Sequence, residues 1–305
     1  MTIPPATICV VANPKSGRNS RDKAAIEAAM SVFGRAAELR RWHKGDDLEA
    51  FVNRAVADGF TTIVAAGGDG TVMGVAHALV GSAVSLGVLP LGTFNYFARG
   101  LGLPQEPAEA ARAILRGHRR KIAVGSVNGQ VFLNNASVGL YPSILQERED
   151  IYARWGRSRL MAHWSVLRTL VRFQRPMRMR LTADGVTHDL VTPLVFVARS
   201  AYQLRRFGLE GEKAISDDRF AVYILHDGTR WQLLRQALRL ATGRLRAGQD
   251  IDLMTAATLE VVTERPRPRV AFDGEKTRMR VPLSFRIQPD ALTIIVPDAA
   301  DRVEA

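Results

Sequence analysis

The chain has little cysteine and no long apolar run. One cysteine, Cys9, occurs among 305 residues, which excludes an internal disulfide, and its apolar neighbours predict a buried, unreactive thiol. No apolar stretch approaches the ~20 residues that a helix needs to span a bilayer. Residues 1–5 lack the basic and long apolar regions of a secretory signal. We therefore expect a cytoplasmic protein under reducing conditions.

Acidic residues are outnumbered by basic ones. The chain has 42 Lys and Arg against 30 Asp and Glu, a net charge of +12. Nucleic acid, an anionic membrane surface and anionic nucleotides all attract such a charge. The sequence contains no helix-turn-helix pattern, no zinc-ligand spacing and no RNA-stacking sheet motif. Nucleic-acid binding therefore ranks last, and we expect no nucleic-acid partner.

Much of the positive charge lies in one segment. From Arg154 to Arg180 every charged residue is an arginine, and the spacing of Leu160, Trp164 and Leu167 follows a helical period. A basic amphipathic helix that carries tryptophan is typical of a membrane interface. The alternative, a helix that packs between domains with a solvated basic face, stays open. The segment from Trp231 to Leu245 repeats the pattern.

The order of elements predicts two domains. Between Thr7 and Gly117 apolar strands alternate with helical segments, which indicates a parallel sheet covered on both faces. After Lys121 short alternating runs and hairpin signals, Asn128-Gly129 and Asp184-Gly185, indicate a mostly antiparallel β-sandwich with inserted helices. We expect an α/β domain over residues 1–121, a β domain over 122–298 and a frayed tail over 299–305. Helices are predicted at Ser20–Phe33, Asp47–Asp58, Thr71–Val80 and Pro107–Arg116.

A glycine-rich loop follows one of the predicted strands. Gly67-Gly68-Asp69-Gly70-Thr71 comes after the apolar run Thr62–Ala66 and before a helical stretch. Glycines at the start of a helix expose backbone N–H groups at its positive end, which suits a phosphate. An aspartate beside phosphates requires a metal ion or a hydroxyl between them, so the loop indicates Mg²⁺-nucleotide chemistry. The alternative is a tight strand-to-helix turn with Asp and Thr as caps.

Two further loops of small and hydroxyl-bearing residues follow strands. They are Asn13-Pro14-Lys15-Ser16-Gly17 and Leu91-Gly92-Thr93-Phe94-Asn95. Because the carboxyl ends of parallel strands meet at one edge of a sheet, all three loops are predicted to lie together. This arrangement favours a phosphate cradle over three unrelated turns.

The order of four motifs resembles the diacylglycerol kinase catalytic family, which includes bacterial lipid kinases and is related to sphingosine kinases. The motifs are NPKSG, GGDGT, PLGTFN and Phe272-Asp273-Gly274-Glu275, and the resemblance runs from about Ile8 to about Ile287. GGDGT alone is shared with NAD kinases. The resemblance implies a Rossmann-like first domain, as in NAD kinase and phosphofructokinase. It also implies an ATP-dependent lipid kinase that uses Mg²⁺ and acts in phospholipid biosynthesis.

The resemblance also implies roles for individual residues. Glu275 matches a proposed proton acceptor, Asp273 supports it or helps to hold Mg²⁺, and Asp69 acts on the catalytic Mg²⁺. We expect Asp69 to face Asp273 and Glu275 across a cleft between the domains; an exposed Asp-Gly hairpin turn is the alternative. The expected ATP contacts are Asn13, Pro14, Lys15, Ser16, Gly17, Gly67, Gly68, Asp69, Gly70, Thr71, Val72, Met73, Gly92, Thr93 and Asn95.

Related enzymes hold a second, structural Mg²⁺ at a motif that this chain resembles between residues 215 and 220. Carried over, the ligands are the Asp218 side chain and the carbonyl groups of Ile215 and Phe220. Arg219 replaces the glycine that is usual in the motif. A plain β-turn at Asp217-Asp218 is an equally good interpretation.

Some positions depart from the family pattern. Met73 and Gly74 replace an Asn and a Glu, Tyr96 replaces an acid, and Arg41 stands where relatives carry a threonine. These changes are compatible with a shift in lipid specificity or with reduced activity. An NAD kinase-like phosphotransferase and a catalytically weakened binding protein are the alternatives. The expected partner is a lipid at an anionic membrane surface, with peripheral association, and a homodimer is left open.

Overall fold

The computed structural model describes residues 6–12, 20–43, 45–139, 176–228, 232, 235–236, 239 and 248–303. The chain divides into two compact units. The first comprises Met1–Val124 together with Gln288–Ala305, and the second comprises Gly125–Ile287.

The first unit is built on a parallel sheet. Its strands are β1 (Ile8–Ala12), β2 (Ala37–Arg41), β3 (Thr62–Gly67) and β4 (Ser85–Pro90). They lie in the order β2-β1-β3-β4, and the last strand of the chain, β16 (Leu283–Val296), joins β4 in parallel through Ile294 and Leu86. The helices are α1 (Ser20–Phe33), α2 (Leu48–Ala57), α3 (Asp69–Leu79), α4 (Tyr96–Gly100) and α5 (Pro107–Arg116), with 3₁₀ turns at Gly34–Ala36 and Ala299–Asp301.

Continuous apolar runs form the centre of this sheet. Every residue of β1, β3 and β4 is buried, as expected for parallel strands covered on both faces. Ile26 of α1 and Ile114 of α5 belong to the same buried cluster as Val10 and Val64. Cys9 has no exposed surface, and burial raises the pKa of its thiol from 9.0 to about 11. Its predicted burial is therefore confirmed.

The second unit contains two antiparallel sheets. One contains β13 (Thr258–Thr263), β8 (Met177–Ala183) and β9 (Val186–Thr192) beside the first half of β16. It also contains β6 (Gln130–Phe132) and residues 125–127, the end of β5 (His118–Val127), which pair with β6. The strands of the other are β7 (Asn135–Gly139), β10 (Leu194–Ala198), β11 (Phe220–Leu225), β12 (Ile251–Ala256), β14 (Arg269–Phe272) and β15 (Glu275–Arg278). They lie in the order β12-β11-β10-β7-β14-β15.

Aromatic side chains pack between these two sheets. The ring of Phe132 in β6 lies 5.9 Å from that of Phe220 in β11 and 6.5 Å from that of Phe285 in β16. Two short helices, α6 (Ala201–Phe207) and α7 (Glu212–Ser216), precede β11. An α/β unit and an antiparallel sandwich are thus confirmed as the fold.

The C-terminal part of the chain differs from expectation, both in the unit to which it belongs and in how well it is held. Residues 288–303 belong to the first unit because Ile294 pairs with Leu86. The end is held as well: Arg116 donates to Asp301 at 3.2 Å, and the Val303 amide donates to the Gly102 carbonyl at 2.9 Å. The prediction of a frayed tail after residue 298 is therefore wrong for the residues described there, and the second compact unit ends before residue 298.

The hairpins at Asn128-Gly129 and Asp184-Gly185 are confirmed, whereas β2 and α4 were not predicted.

The basic segment from Arg154 to Arg180 is only partly described. Arg178 and Arg180 lie in β8, so the expected basic helix does not extend to them. Residues 154–175 fall outside the described part of the chain, as do most residues of the second basic segment. Within the described ranges, no helix combines the length and apolar character needed to cross a membrane.

Candidate phosphate-binding and catalytic site

The carboxyl ends of three strands are in register in the first unit. Ala12 at the end of β1 pairs with Ala66 of β3, which in turn pairs with Leu89 of β4. The loops after β3 and β4 therefore start at the same edge of the sheet. The loop after β1, which contains Asn13, Pro14, Lys15, Ser16 and Gly17, lies outside the described residues.

The loop after β3 turns directly into α3. Gly68 caps this helix, and its carbonyl accepts the amide N–H groups of Thr71 at 2.9 Å and Val72 at 3.1 Å. A Cβ atom on Gly67 would lie 2.5 Å from the Thr71 hydroxyl oxygen. Glycine is therefore required at position 67 by the close approach of a buried side chain.

The two described loops touch through their backbones. A Cβ atom on Gly92 would lie 2.5 Å from the Gly68 Cα atom and 2.6 Å from the Asn95 Oδ1 atom. The Leu91 amide donates to the Gly67 carbonyl at 2.9 Å, which extends the strand pairing into the loops. Because no side chain separates them, the two loops form one continuous backbone surface at the sheet edge.

Asn95 fixes the shape of the second loop. It adopts a left-handed conformation with φ of 52°, which Asn tolerates better than most residues. Its Oδ1 accepts the Gly92 amide at 2.9 Å, and its Nδ2 donates to the Gly92 carbonyl at 3.1 Å and to Gln105 at 3.2 Å. The side chain thus closes the loop on itself. Gln105 was not predicted, because no motif marks a residue that acts through a loop asparagine.

Asp69 connects the two loops. Its Oδ1 accepts the Phe97 amide at 3.2 Å, at the start of α4. Burial raises the pKa of the Asp69 carboxyl above its ordinary value, and amide N–H groups of Phe97, Asn95 and Tyr96 offset only part of that rise. A cation beside this carboxylate would favour its charged form. Asp69 therefore braces α4 and is also suited to meet a cation.

The remaining predicted contacts of this region are close in sequence to Asp69 and Gly92. Thr71 and Val72 are buried in α3, Met73 is half-buried, and Gly70 and Thr93 are exposed. Tyr96, which replaces an acid in the family pattern, stacks on Phe94 with ring centroids 5.6 Å apart. The sequence-predicted residues after β3 and β4 are thus brought together by the fold.

In the second unit, Asp273 and Gly274 form the turn of a tight hairpin between β14 and β15. Their φ angles are 46° and 92°, the left-handed pair that a two-residue hairpin of this type requires. Phe272 pairs with Glu275, the first residue of β15, whose side chain is exposed. The sharp turn expected here is confirmed.

Asp273 is an anchor rather than an exposed ligand. It is 8% exposed, and its carboxylate accepts three consecutive amide N–H groups, those of Leu133, Asn134 and Asn135. Its own amide donates to the Asn135 carbonyl at 3.0 Å. These bonds tie the hairpin to the bend between β6 and β7. They favour the supporting role over metal binding, because both carboxylate oxygens already accept backbone amide N–H groups.

Buried amide side chains lie next to this anchor. Asn134 and Asn135 are almost fully buried, and Asn135 Nδ2 donates to Gln203 Oε1 at 2.9 Å. Within the described residues, the Oδ1 atoms of Asn134 and Asn135 have no hydrogen-bond partner. These residues were not predicted, although an Asn pair at the start of an apolar strand is itself an unusual pattern.

The expected ligands of a structural Mg²⁺ contact an arginine. Arg199 donates to Asp218 Oδ1 at 3.0 Å and to the Ile215 carbonyl at 3.5 Å. Arg219 bonds to Asp184 and to the Thr255 carbonyl, the latter at 3.2 Å. The described ranges contain no group of three or more His, Cys, Asp or Glu that could hold a metal ion. Because the Arg199 guanidinium donates to two of the three expected ligand groups, these residues do not fit a structural Mg²⁺. Phe220, the third expected ligand residue, lies in the buried strand β11.

Asp69 lies in the first unit, and Asp273 and Glu275 lie in the second. Their approach across a cleft stays a prediction.

Comparisons with known proteins cover both units. Residues 7–127 match the family described as diacylglycerol kinase catalytic domain. Residues 142–296 match the family described as YegS C-terminal NAD kinase beta sandwich-like domain.

Similar proteins carry kinase names. A Pseudomonas aeruginosa (strain UCBPP-PA14) protein named "Probable lipid kinase YegS-like" is 45% identical over 135 residues, which is 43% of this chain and 44% of that protein. The matched stretch is thus less than half the length of this relative. The diacylglycerol kinase of Bacillus subtilis (strain 168) is 29% identical over 280 residues, 87% of this chain and 88% of that protein.

A crystal structure of a diacylglycerol kinase from Bacillus anthracis has a similar fold. It superposes with a TM-score of 0.69 at 19% identity and covers 96% of this chain and 97% of that one. At this identity the likeness bears on the fold alone.

Proposed function

This chain belongs to the diacylglycerol kinase catalytic-domain family, and we propose that it transfers the γ-phosphoryl group of ATP to the hydroxyl group of a membrane lipid. Diacylglycerol, a related lipid alcohol or a sphingoid base is the acceptor class. The reaction forms a bond between the lipid oxygen and phosphorus, breaks the bond to the β-phosphate oxygen and releases ADP.

The observation that carries this proposal is the direct contact between the loops that contain Gly68 and Gly92. Their Cα atoms are close enough that a Cβ on Gly92 would lie 2.5 Å from Gly68. The surface they form is backbone, it stands at the carboxyl edge of a parallel sheet, and it meets the start of α3. These are the features that suit a bound phosphate chain. We assign ATP binding to these loops and to the loop of Asn13–Gly17.

Asp69 is the residue that would hold the Mg²⁺ that accompanies ATP. It is a half-buried carboxylate with a raised pKa at the junction of the two loops. Mg²⁺ in nucleotide sites takes only one or two protein carboxylates and completes its shell with phosphate oxygens and water. When bound, the ion would supply positive charge against the phosphates. A single carboxylate therefore suffices here.

Glu275 is the proposed base. Its exposed side chain follows a rigid two-residue turn, so it is presented at the end of β14 and β15 rather than buried among neighbours. It would accept the proton of the lipid hydroxyl as that oxygen attacks phosphorus. Asp273, through the amides of residues 133–135, would hold the turn in place.

The test is transfer of label from γ-labelled ATP. We would offer diacylglycerol, sphingosine, NAD and nucleic acid to the purified chain and expect label in a lipid. Glu275→Gln should lower kcat by about 10²–10⁴-fold, the usual contribution of a general base. Glu260→Gln is the matched control, because Glu260 is an exposed glutamate on a strand of the same unit.

Other outcomes point elsewhere. Label in NAD would favour the NAD kinase-like alternative. ATP binding without transfer to any acceptor would favour a weakened, kinase-like binding protein. Full activity of folded Glu275→Gln would reject Glu275 as the base even if the chain is a lipid kinase.

A further inference from the structure

A guanidinium group occupies the position that the family resemblance assigns to a structural cation. Arg199 directly follows β10, and its side chain is only 7% exposed. It donates to Asp218 Oδ1 at 3.0 Å and to the Ile215 carbonyl at 3.5 Å. These two groups are among the three that were expected to bind Mg²⁺.

The turn around Asp218 is shaped for this contact. Asp218 has a left-handed conformation with φ of 52°, and its amide donates to the Ile215 carbonyl at 3.2 Å. The Arg219 amide donates to the Ala214 carbonyl at 2.8 Å and closes the end of α7. The Arg199 amide donates to the Asn134 carbonyl at 2.8 Å, so the start of the arginine side chain is fixed as well.

Neighbouring charges oppose a second cation at this position. A guanidinium remains protonated at every physiological pH. Mg²⁺ requires near-octahedral oxygen ligands at about 2.0–2.1 Å, and a nearly buried arginine on the same oxygens would repel it. The other nearby carboxylates are engaged: Asp217 pairs with Lys213 at 2.7 Å, and Asp184 pairs with Arg219.

We propose that Arg199 replaces the structural metal ion of related enzymes, so that the turn between α7 and β11 is stabilised by an internal cation and does not bind Mg²⁺. The proposal does not depend on which lipid, if any, is phosphorylated. Arg219, which stands in place of the usual glycine, adds a second link from the same turn to Asp184 in the β8–β9 hairpin. The motif thereby keeps its acid, Asp218, but the cation that this acid contacts is Arg199 and not Mg²⁺.

The test uses the full chain, freed of metal by a chelator and without nucleotide. Mn²⁺ serves as the probe, because its free form is measured directly by electron paramagnetic resonance. We expect wild type and Asp218→Asn to bind the same amount of Mn²⁺. The Tm of the wild type should be the same in chelator and in Mg²⁺ once the chelator is removed. A stoichiometric Mn²⁺ site that Asp218→Asn abolishes would overturn the proposal.

Variants of the arginine give a second measurement. Arg199→Gln should lower the Tm by several degrees, since it leaves the Asp218 carboxylate and the Ile215 carbonyl without their cation. Arg205→Gln is the matched control: Arg205 is a half-exposed arginine of α6 that pairs with Glu212 at 2.8 Å, so its loss should change the Tm little. An equal, small shift for both variants would contradict the proposal. If Arg199→Gln does not fold, the comparison of wild type with Asp218→Asn still decides the matter.

Discussion

Gly68 and Gly92 show how a single side-chain atom decides the shape of the site. Both lie in loops at the ends of neighbouring strands, and their backbones are in contact. A methyl group on Gly92 would meet backbone atoms and the Asn95 amide group, none of which can rotate away as a long side chain can. Substitution must therefore separate the two loops.

We expect Gly92→Ala to lower kcat/KM for ATP by about 10²-fold, the scale of loss for a displacement of about 1 Å at a reacting centre. Gly74→Ala is the matched control. A Cβ atom there would meet only the end of the Leu48 side chain, which can move, and alanine favours the helix more than glycine does. Steady-state kinetics with equal folded fractions of both variants provides the measurement. Equal activity of the two variants would mean that the loop contact does not shape the ATP site.

At the level of residues, the sequence predicts which acids matter but not what they bond to. Asp69, Asp273 and Asp218 were all expected near metal ions. In the structure Asp69 accepts an amide N–H of α4, Asp273 accepts amides of residues 133–135, and Asp218 pairs with Arg199. The partner of Asp69 is 28 residues away, and those of Asp273 are 138 to 140 residues away. A motif cannot reveal such donors, because they are set by the packing of distant segments.

The β14–β15 hairpin owes its position to one carboxylate. Asp273 accepts the amides of Leu133, Asn134 and Asn135, all of which are buried. Removing the carboxylate leaves those N–H groups without that acceptor, at a cost of about 1–3 kcal/mol for each buried group.

We expect Asp273→Ala to lower the free energy of unfolding by about 3 kcal/mol or more and to lower activity as well. Asp273→Asn should cost less, because one carbonyl oxygen is retained. Glu275→Gln should leave stability within about 0.5 kcal/mol of wild type, as is usual for an exposed position, while kcat falls. Denaturant unfolding and kinetics on the same preparations separate the two roles. Loss of activity in Asp273→Ala without loss of stability would show that Asp273 acts in the chemistry itself.

Elements with strong local signals were predicted well. The bounds of α1 and α5 match the expected helices, since each has a clear helical pattern and α5 begins with proline. The strand β2 was missed because its sequence, Ala37-Glu38-Leu39-Arg40-Arg41, is short and largely charged. It is a strand because it pairs in parallel with β1 along its whole length, which its composition does not indicate. The five-residue helix α4 is too short for any periodicity.

The course of the whole chain was not predictable from local patterns. The chain leaves the first unit near residue 124 and returns to it at residue 288. Within β16 the burial of the residues from Gln288 onward follows no simple alternation, and Ile294–Val296 are all buried. The parallel pairing of Ile294 with Leu86, about 200 residues apart along the chain and therefore beyond any sequence window, assigns the end of the chain to the first unit, together with the hydrogen bonds of Asp301 and Val303.

The net charge of +12 is a property of the whole molecule, but not every arginine is available to a partner. Arg239 of the second basic segment pairs with the buried Asp250 at 2.8 Å. Arg180 in β8 pairs with Asp189 at 2.9 Å. Arg239 neutralises a buried carboxylate, whereas the exposed Arg180–Asp189 pair adds little to stability but still occupies the arginine. The arginines between residues 154 and 175 lie outside the described residues, so their role rests on the sequence alone.

We expect the protein to sediment with vesicles that contain anionic lipid and much less with neutral ones. Each basic residue near such a surface contributes about 1 kcal/mol. Replacing Arg157, Arg159, Arg168 and Arg172 by Gln should therefore lower the partition coefficient by up to about a thousandfold. Salt should release the wild type, since charges are screened over about 8–10 Å at physiological ionic strength.

The matched control removes the same charge from the first unit, at the exposed residues Lys23, Arg35, Arg54 and Arg119. Both four-residue variants have a net charge lowered by four from +12, so a general effect of charge would weaken vesicle binding equally. If the segment acts at a membrane, only its own variant should lose vesicle binding and activity on vesicles. Activity on a short-chain soluble lipid should be retained, because the phosphate loops and Glu275 are unchanged. Equal loss of activity on both substrates would instead assign the segment to packing within the protein.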